Sequence, residues 1–456
     1  MRIDEQLRAS DLKPALNNFF KLTGKKILDI EKNWDPKRGT PVFTVEGKYT
    51  SRGWTEWTQG FQYGCALLQF EATGDKKFLE LGRKNTIERM AVHISHIGVH
   101  DHGFNNVSTY GNLRRFMNIG LSKENPRERE TYDLALKISG AIQAARWTRL
   151  HDGTGYIHSF NGPHSLFSDT IRSLRPLALA HTLGHVLQAE NDVRHSLLKR
   201  LVEHLENTLQ YNVYYGEDRD SYDVRGRVVH ESIFNVTDGR YRCPSTQQGY
   251  SPFSTWTRGL AWILAGCGEQ LEFLSSLPDG EFEGVAKHKP LLTRIEKAAR
   301  ATADFLIDFT CADGIPMWDT GAPGLVHMDG LYEKDSQPVN PYEPVDSSAS
   351  AIAAQGYLRL SEYLKKKDPK AAARYKQVAL GMARTLFSAP YLSEDPEHQG
   401  ILLHAIYHQP NGWDHRPDPK MAPYGESCLW GDYHAMELAL MVKSLAEGKK
   451  FFTFFD

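Results

Sequence analysis

Amphipathic helical segments follow one another in hairpin pairs along this chain, and that regularity limits the fold more than any single motif does. About twelve stretches carry apolar residues at helical spacing. They lie near 11–33, 55–73, 76–96, 106–122, 127–149, 168–188, 190–212, 255–276, 291–311, 346–366, 368–388 and 431–446. Several neighbours are separated only by polar turns: Thr73-Gly74-Asp75, Glu190-Asn191-Asp192 and Lys367-Asp368-Pro369. Short links between long helices imply antiparallel pairs, and Pro369 suits a first helical turn. Six such hairpins, each with one apolar face, can bury those faces by closing into a double ring of alternating inner and outer helices. No strict sequence repeat accompanies the pattern, so an open solenoid satisfies the same periodicity.

Three irregular stretches interrupt the helices: 213–254, 315–345 and 408–426. In the first, Val228-Val229 and Ile233-Phe234 flank turn-forming Asp and Gly residues, which predicts a β-hairpin or a long functional loop. In a double ring such loops collect at one mouth. No linker rich in Pro, Gly and Ser divides the chain, so residues 1–456 are expected to form one domain.

Charge and cysteine usage exclude several classes. The 54 Lys and Arg offset 56 Asp and Glu to a net −2, with no run of one sign, which argues against a nucleic-acid-binding arm or a polybasic membrane anchor. No apolar stretch approaches the roughly 18–20 residues that span a bilayer. The opening M-R-I-D-E-Q-L-R-A-S contains no apolar signal segment. Cys65, Cys243, Cys267, Cys311 and Cys428 are scattered and contain no C-x-x-C, so unpaired thiols in a reducing cytoplasm are expected. The 21 Phe, 20 Tyr and 9 Trp fit a carbohydrate-stacking groove and a large core equally well.

A few residues stand in company suited to chemistry. Asp101, in His100-Asp101-His102-Gly103-Phe104, lies at a break between helices, flanked by imidazoles; as a helix cap it would stand in the same place. Asp169 enters the apolar run through Leu174, Leu177 and Leu179, where the helix dipole alone would favour an acid. Trp256, Arg258 and Trp262 fall in the first turns of one helix, with Arg258 and Trp262 on a shared face. A guanidinium among aromatic rings suits a sugar carboxylate, and equally a structural ion pair between helices. His93, His96 and His100 recur at i, i+3 and i+7, but no second ligand motif accompanies them, so no metal or other cofactor is expected. There is no G-x-S-x-G, P-loop or dinucleotide fingerprint.

Taken together, these segments resemble the unsaturated glucuronyl hydrolases of glycoside hydrolase family 88, relatives of the unsaturated rhamnogalacturonyl hydrolases of family 105. The matching segments are Trp57-Thr58-Gln59-Gly60-Phe61, Ala72-Thr73-Gly74-Asp75, His100 to Phe104, Ser168-Asp169, Gln248-Gly249-Tyr250, Trp256 to Trp262, Asp346 to Ala354 and Gly431-Asp432-Tyr433. The resemblance implies an all-α (α/α)6 barrel with short β-hairpins in its loops. It also implies an unsaturated uronate-containing oligosaccharide as partner, bound by a monomer or homodimer. It assigns Asp169 as catalytic acid and base and Asp101 as the second carboxylate. His100, His230, Gln248, Trp256, Arg258 and Trp262 are placed around the sugar. Phe160 is the candidate for an aromatic expected upstream of Asp169, ahead of His158. A further departure is Gln62, where the family often has Trp; both departures are expected where the sugar stacks.

The chemistry so implied is hydration of the C4=C5 enol ether, followed by hemiketal opening. It requires Asp169 to enter protonated, and burial together with the like charge of Asp101 is expected to raise its pKa. Arg258 either holds the carboxylate or supports the acids. Pectin-derived substrates, a related (α/α)6 epimerase or glycosidase, and a binding module without activity are the competing expectations.

Overall fold

The computed structural model describes residues 1–53 and 56–455. Six helices form an inner ring: α2 (Gln59–Thr73), α5 (His102–Asn106) continuing into α6 (Asn112–Asn118), α8 (Leu174–Thr182), α10 (Thr257–Ser276), α12 (Ser347–Leu364) and α14 (Leu429–Ala446). Each packs on the next, and α14 packs back on α2, so the ring closes. Outside it lie α1 (Lys13–Asn33), α3 (Lys76–Arg89), α7 (Pro126–Ala145), α9 (Leu197–Tyr211), α11 (His288–Asp308) and α13 (Pro369–Leu386). The short α4 (Ala91–Ile94) follows α3. This is the (α/α)6 barrel, closed rather than open.

Residue patterning separates the two rings. Outer α9 buries Leu198, Leu201, Val202, Leu205 and Leu209 along one stripe, whereas inner α10 and α14 are buried nearly all round. The hairpin turns follow the local chemistry. Gly74 takes the left-handed conformation (φ 72°) that ends α2, and the Asp75 side chain accepts from the Lys77 amide to start α3. Asp368 caps α13 in the same way, accepting from the Ala371 amide.

Helical periodicity overextends three segments. The stretch 127–149 leaves its helix at Ala145, and Trp147–Arg149 pairs with Gly155–Ile157 as an antiparallel hairpin. Residues 169–173 form a tight 3₁₀ turn before α8, and Val186–Gln188 pairs with Arg194–Ser196 as an antiparallel hairpin around Glu190–Asp192. Asn191 and Asp192 there have φ of 55° and 59°, which a continuing helix excludes. The predicted segment 55–73 begins at Thr55, outside the described residues, and is helical from Gln59. Between α5 and α6 the helix widens into a π-turn over Val107–Gly111. In the first irregular stretch β2 (Glu231–Phe234) lies between β1 (Ser165–Phe167) and β3 (Tyr241–Ser245) in an antiparallel sheet. None of the five cysteines is paired, and no described helix is long and apolar enough to cross a membrane.

The C-terminal ends of the inner helices are stoppered by a run of aromatics. Phe452 lies 4.6 Å from the Arg115 guanidinium and 5.7 Å from that of Arg359, on opposite sides of the ring. Phe454 lies 5.5 Å from the Arg175 guanidinium, and Phe455 packs 5.1 Å from Phe273. Phe454→Ala is expected to lower the unfolding free energy by about 3–5 kcal/mol, the usual cost of deleting a buried aromatic ring. Denaturant unfolding monitored by circular dichroism checks it.

Candidate active site

All six inner helices begin at one mouth, and there a cavity of ≈ 580 Å³ opens. Trp57 precedes α2, Asp101 precedes α5, Asp169 begins the turn into α8, and Trp256 and Arg258 open α10. The positive ends of these helix dipoles converge on the cavity and favour an anion there. The predicted gathering of loops also occurs here: Gln247 and Gln248 come from the first irregular stretch, and His408, Asn411 and Trp413 from the third. The second stretch buttresses the wall, where the Asp319 carboxylate accepts from the Tyr250 amide at 2.9 Å.

A glycine brings the two acids together. A Cβ on Gly103 would stand 2.2 Å from the Arg172 carbonyl oxygen, so only glycine lets α5 and the 169–173 turn touch here. Neither acid serves as a cap: Asp101 makes no capping bond with its side chain, and the Asp169 carboxylate turns to His100. His100 Nε2 lies 3.3 Å from Asp169 Oδ1 and 3.7 Å from Asp101 Oδ1, so one imidazole bridges both carboxylates. With both acids only 7% and 8% exposed, their interactions are little screened.

The protonation pattern reverses the expectation for Asp169. Burial pushes its carboxyl up, but the hydrogen bond and charge of His100, with His230 and Arg258, outweigh burial and hold it below the ordinary value. Asp101 is the raised acid: burial, aided by the charge of Asp169 and opposed by His100, pushes it up to about 6. For His100 burial pushes downward, yet the two carboxylates prevail and raise it. The resting proton therefore sits on the His100–Asp101 side of the triad.

Aromatic rings wall the remainder. Phe160, 45% exposed, stacks on His100 at 5.8 Å and 17°. Trp57 stacks on Trp430 at 5.0 Å, and Phe104 and Trp262, also 5.0 Å apart, form the floor. Beneath that floor the Arg172 guanidinium lies 5.3 Å from the Trp262 ring and pairs with Glu269 at 3.0 Å.

The predicted site residues divide into two groups. Asp101, Asp169, His100, Gln248, Trp256, Arg258, Trp262 and Phe160 all line the cavity. His230 stands behind the wall instead, its Nδ1 accepting from the backbone amides of Gln247 (2.9 Å) and Gln248 (3.3 Å). It therefore holds the segment that carries Gln248. His158 does not line the cavity, and Gln62 faces Ile27 and Ile30 of α1, away from any sugar. The Gln62 departure is thus irrelevant to stacking.

Arg258 is committed to the protein. Nη1 donates to Asp346 Oδ2 (2.7 Å) and to the Ile406 carbonyl, and Nη2 donates to Gln248 Oε1 (3.2 Å) and the Tyr407 carbonyl (2.8 Å). All four Nη hydrogens are used, which favours support of the site over a bidentate carboxylate clamp.

Residues missing from the sequence reading come chiefly from the 406–414 loop. Asp414 fixes it, accepting from the Tyr407 amide (2.5 Å) and the His408 amide (2.8 Å), and so presents Tyr407, His408 and Trp413. Burial and the Arg258 charge push His408 down to about 4, leaving a neutral imidazole at neutral pH. The closely spaced aromatics of this loop were the available signal. Among the described residues no group of three or more His, Cys, Asp or Glu is placed to hold a metal ion. His93 bonds Gln59 Oε1 (2.8 Å), and α4 ends before His96 and His100, so the three histidines share no helix face.

No protein-family model matches the chain. Two curated relatives, both named unsaturated glucuronyl hydrolase, are similar over most of its length. The one from Bacillus sp. strain GL1 is 25% identical over 408 residues, covering 87% of this chain and 88% of its own. The one from Formosa agariphila is 24% identical over 386 residues, covering 84% of this chain and 78% of its own. The crystal structure of an unsaturated glucuronyl hydrolase from Streptococcus agalactiae superposes with a TM-score of 0.69 at 20% identity, covering 100% of this chain and 95% of its own. The resemblance carried by the short motifs therefore extends along the chain and through the fold.

Proposed function

We propose that this chain is a glycosidase of the unsaturated glucuronyl hydrolase type. It removes a 4,5-unsaturated uronic acid from the non-reducing end of oligosaccharides left by polysaccharide lyases. The observation that carries this reading is the pair of buried carboxylates bridged by one imidazole, within an aromatic cavity on a barrel similar to relatives bearing that name. Residues 1–456 act as one catalytic unit, and the unpaired cysteines support a reducing, cytoplasmic location.

Asp169 acts on the sugar. A uronate brings its own negative charge into the cavity and raises the pKa of the carboxyls around it. The His100 Nε2 proton then passes across the 3.3 Å bond to Asp169, turning an ion pair into two neutral groups, a change that low dielectric favours. Asp169 delivers that proton to C4 as the C4=C5 electrons form the new C–H bond. Positive charge is shared by C5 and the ring oxygen. Water adds at C5 and gives its proton to the Asp169 carboxylate, and the resulting hemiketal opens and expels the neighbouring sugar. Asp101 holds the imidazolium ready, and Arg258 keeps Gln248 in place.

The test is loss of the conjugated double bond's ultraviolet absorbance across chondroitin-, hyaluronan-, ulvan- and pectin-derived disaccharides. Absorbance unchanged on every one of them sinks the proposal.

Asp101 makes a second check possible through stability. Its folded carboxyl titrates near 6, against an ordinary 3.8, so the folded state holds a proton that the unfolded chain has released. The resulting penalty is absent below pH 3.8, grows as pH rises through this window and is complete above 6. Asp101→Asn removes it. The variant is expected to be more stable than wild type at pH 7–8, by at most about 3 kcal/mol, with the gain vanishing near pH 4. Melting temperatures across pH measure it.

A further inference from the structure

One buried acid plays no part in the chemistry above. Glu231, at the start of β2, is 1% exposed, and among the described residues no Lys or Arg pairs with it. A buried carboxylate without a cation is costly unless hydrogen-bond donors satisfy it. Three side chains supply them. Ser165 Oγ donates to Oε1 at 2.5 Å, Asn161 Nδ2 to Oε1 at 3.0 Å, and Gln247 Nε2 to Oε2 at 3.4 Å.

The directions of these bonds are forced, because a carboxylate only accepts. With the Ser165 hydroxyl donating to Glu231, the Ser159 hydroxyl must donate to Ser165 Oγ (2.7 Å), leaving Ser159 Oγ to accept the Asn161 amide (3.1 Å). This closed network fixes the Phe160–Asn161 turn, and hence the ring stacked on His100. It also fixes both amides. Each NH2 group is drawn back to Glu231, so Asn161 Oδ1 and Gln247 Oε1, which have no protein partner among the described residues, are left to the cavity that both residues line.

We infer that Glu231 is a positioning residue that makes Asn161 and Gln247 hydrogen-bond acceptors for the hydroxyl groups of an uncharged sugar next to the uronate. The inference rests on reading the cavity as a uronyl-oligosaccharide site and adds which neighbouring sugar it takes. A hydroxyl donates to these oxygens. A sulfate ester has no hydrogen to donate, and it would meet two carbonyl dipoles, the Glu231 charge behind them and the Glu56 carboxylate in the same wall. Arg258, the one guanidinium among the described residues that line the cavity, has its Nη hydrogens engaged.

The experiment is calorimetric binding to the Asp169→Asn protein, which holds the sugar without consuming it. Two unsaturated glucuronyl disaccharides are compared, identical except for a sulfate ester on the second sugar. The unsulfated one is expected to bind about 10-fold tighter. In the same background Glu231→Gln, which is isosteric, is expected to weaken the unsulfated ligand about 10-fold and to narrow the preference to about 3-fold or less, an outcome that a purely structural role would not give. Gln247→Ala, at an exposed residue, is expected to weaken the unsulfated ligand about 3-fold and serves if Glu231→Gln does not fold. Equal or tighter binding of the sulfated sugar, binding of neither sugar, or an unsulfated affinity untouched by both variants overturns the inference. Wild-type protein that binds with the stated preference but leaves the double bond intact overturns the hydrolase reading alone. Wild-type protein that consumes both disaccharides equally well overturns this inference alone.

Discussion

Asp169→Asn is expected to lower turnover of the unsaturated disaccharide by about 10⁴-fold while the barrel stays folded. That is the upper end of what a positioned acid or base contributes, and it applies because one carboxyl serves at both protonation and water attack. Asparagine keeps the shape and still accepts from His100, so the cavity and its affinity for the sugar should change by no more than about 10-fold. The readout is initial absorbance loss, with circular dichroism confirming the fold. Near wild-type turnover in a folded variant would remove Asp169 from the chemistry and leave Asp101, the acid already raised to about 6, as the donor.

Arg258→Met is expected to cost about 3–5 kcal/mol of stability and to abolish activity with it. Asp346 is fully buried, caps α12 through the Ser348 amide at 3.0 Å, and among the described residues takes its only ion pair from Arg258. Removing one partner strands the other charge in low dielectric. The Ile406 and Tyr407 carbonyls lose their donor as well, and with it the loop presenting Trp413 loses an anchor. Adding Asp346→Asn should restore part of the stability but not the activity, because Gln248 still lacks its donor. Denaturant midpoints and rates on the single and double variants separate the two effects. A single variant as stable as wild type would show that the fork carries little.

The barrel was legible because periodicity reports burial. Inner α10 and α14 are buried nearly all round and outer α9 along one stripe, and this contrast is what closing a double ring requires. The turn at Glu190–Asp192 was legible, but the pattern misled on either side of it, where Val186–Gln188 and Arg194–Ser196 form a hairpin too short for alternation to register. The acids were legible by position but not by role. Asp101 and Asp169 precede helical turns, where a cap and a catalytic acid read alike, and only the imidazole between them distinguishes the two. Their protonation order was not legible at all: it depends on the distance from His100 to each, which arises from the contact at Gly103. Glu231 was equally hidden, since its meaning lies in donors from Asn161, Ser165 and Gln247, brought together by a three-stranded sheet.

The Phe104 and Trp262 floor, backed by the Arg172–Glu269 pair, turns the cavity into a cul-de-sac. A polymer cannot thread through such a blind chamber, so only a loose tip can be accommodated. In the proposed reaction the fragment nearer the doorway must leave before the freed uronate can follow. Last out is thus the small acidic product, which occupies the berth the next molecule needs, and inhibition by that product should be competitive.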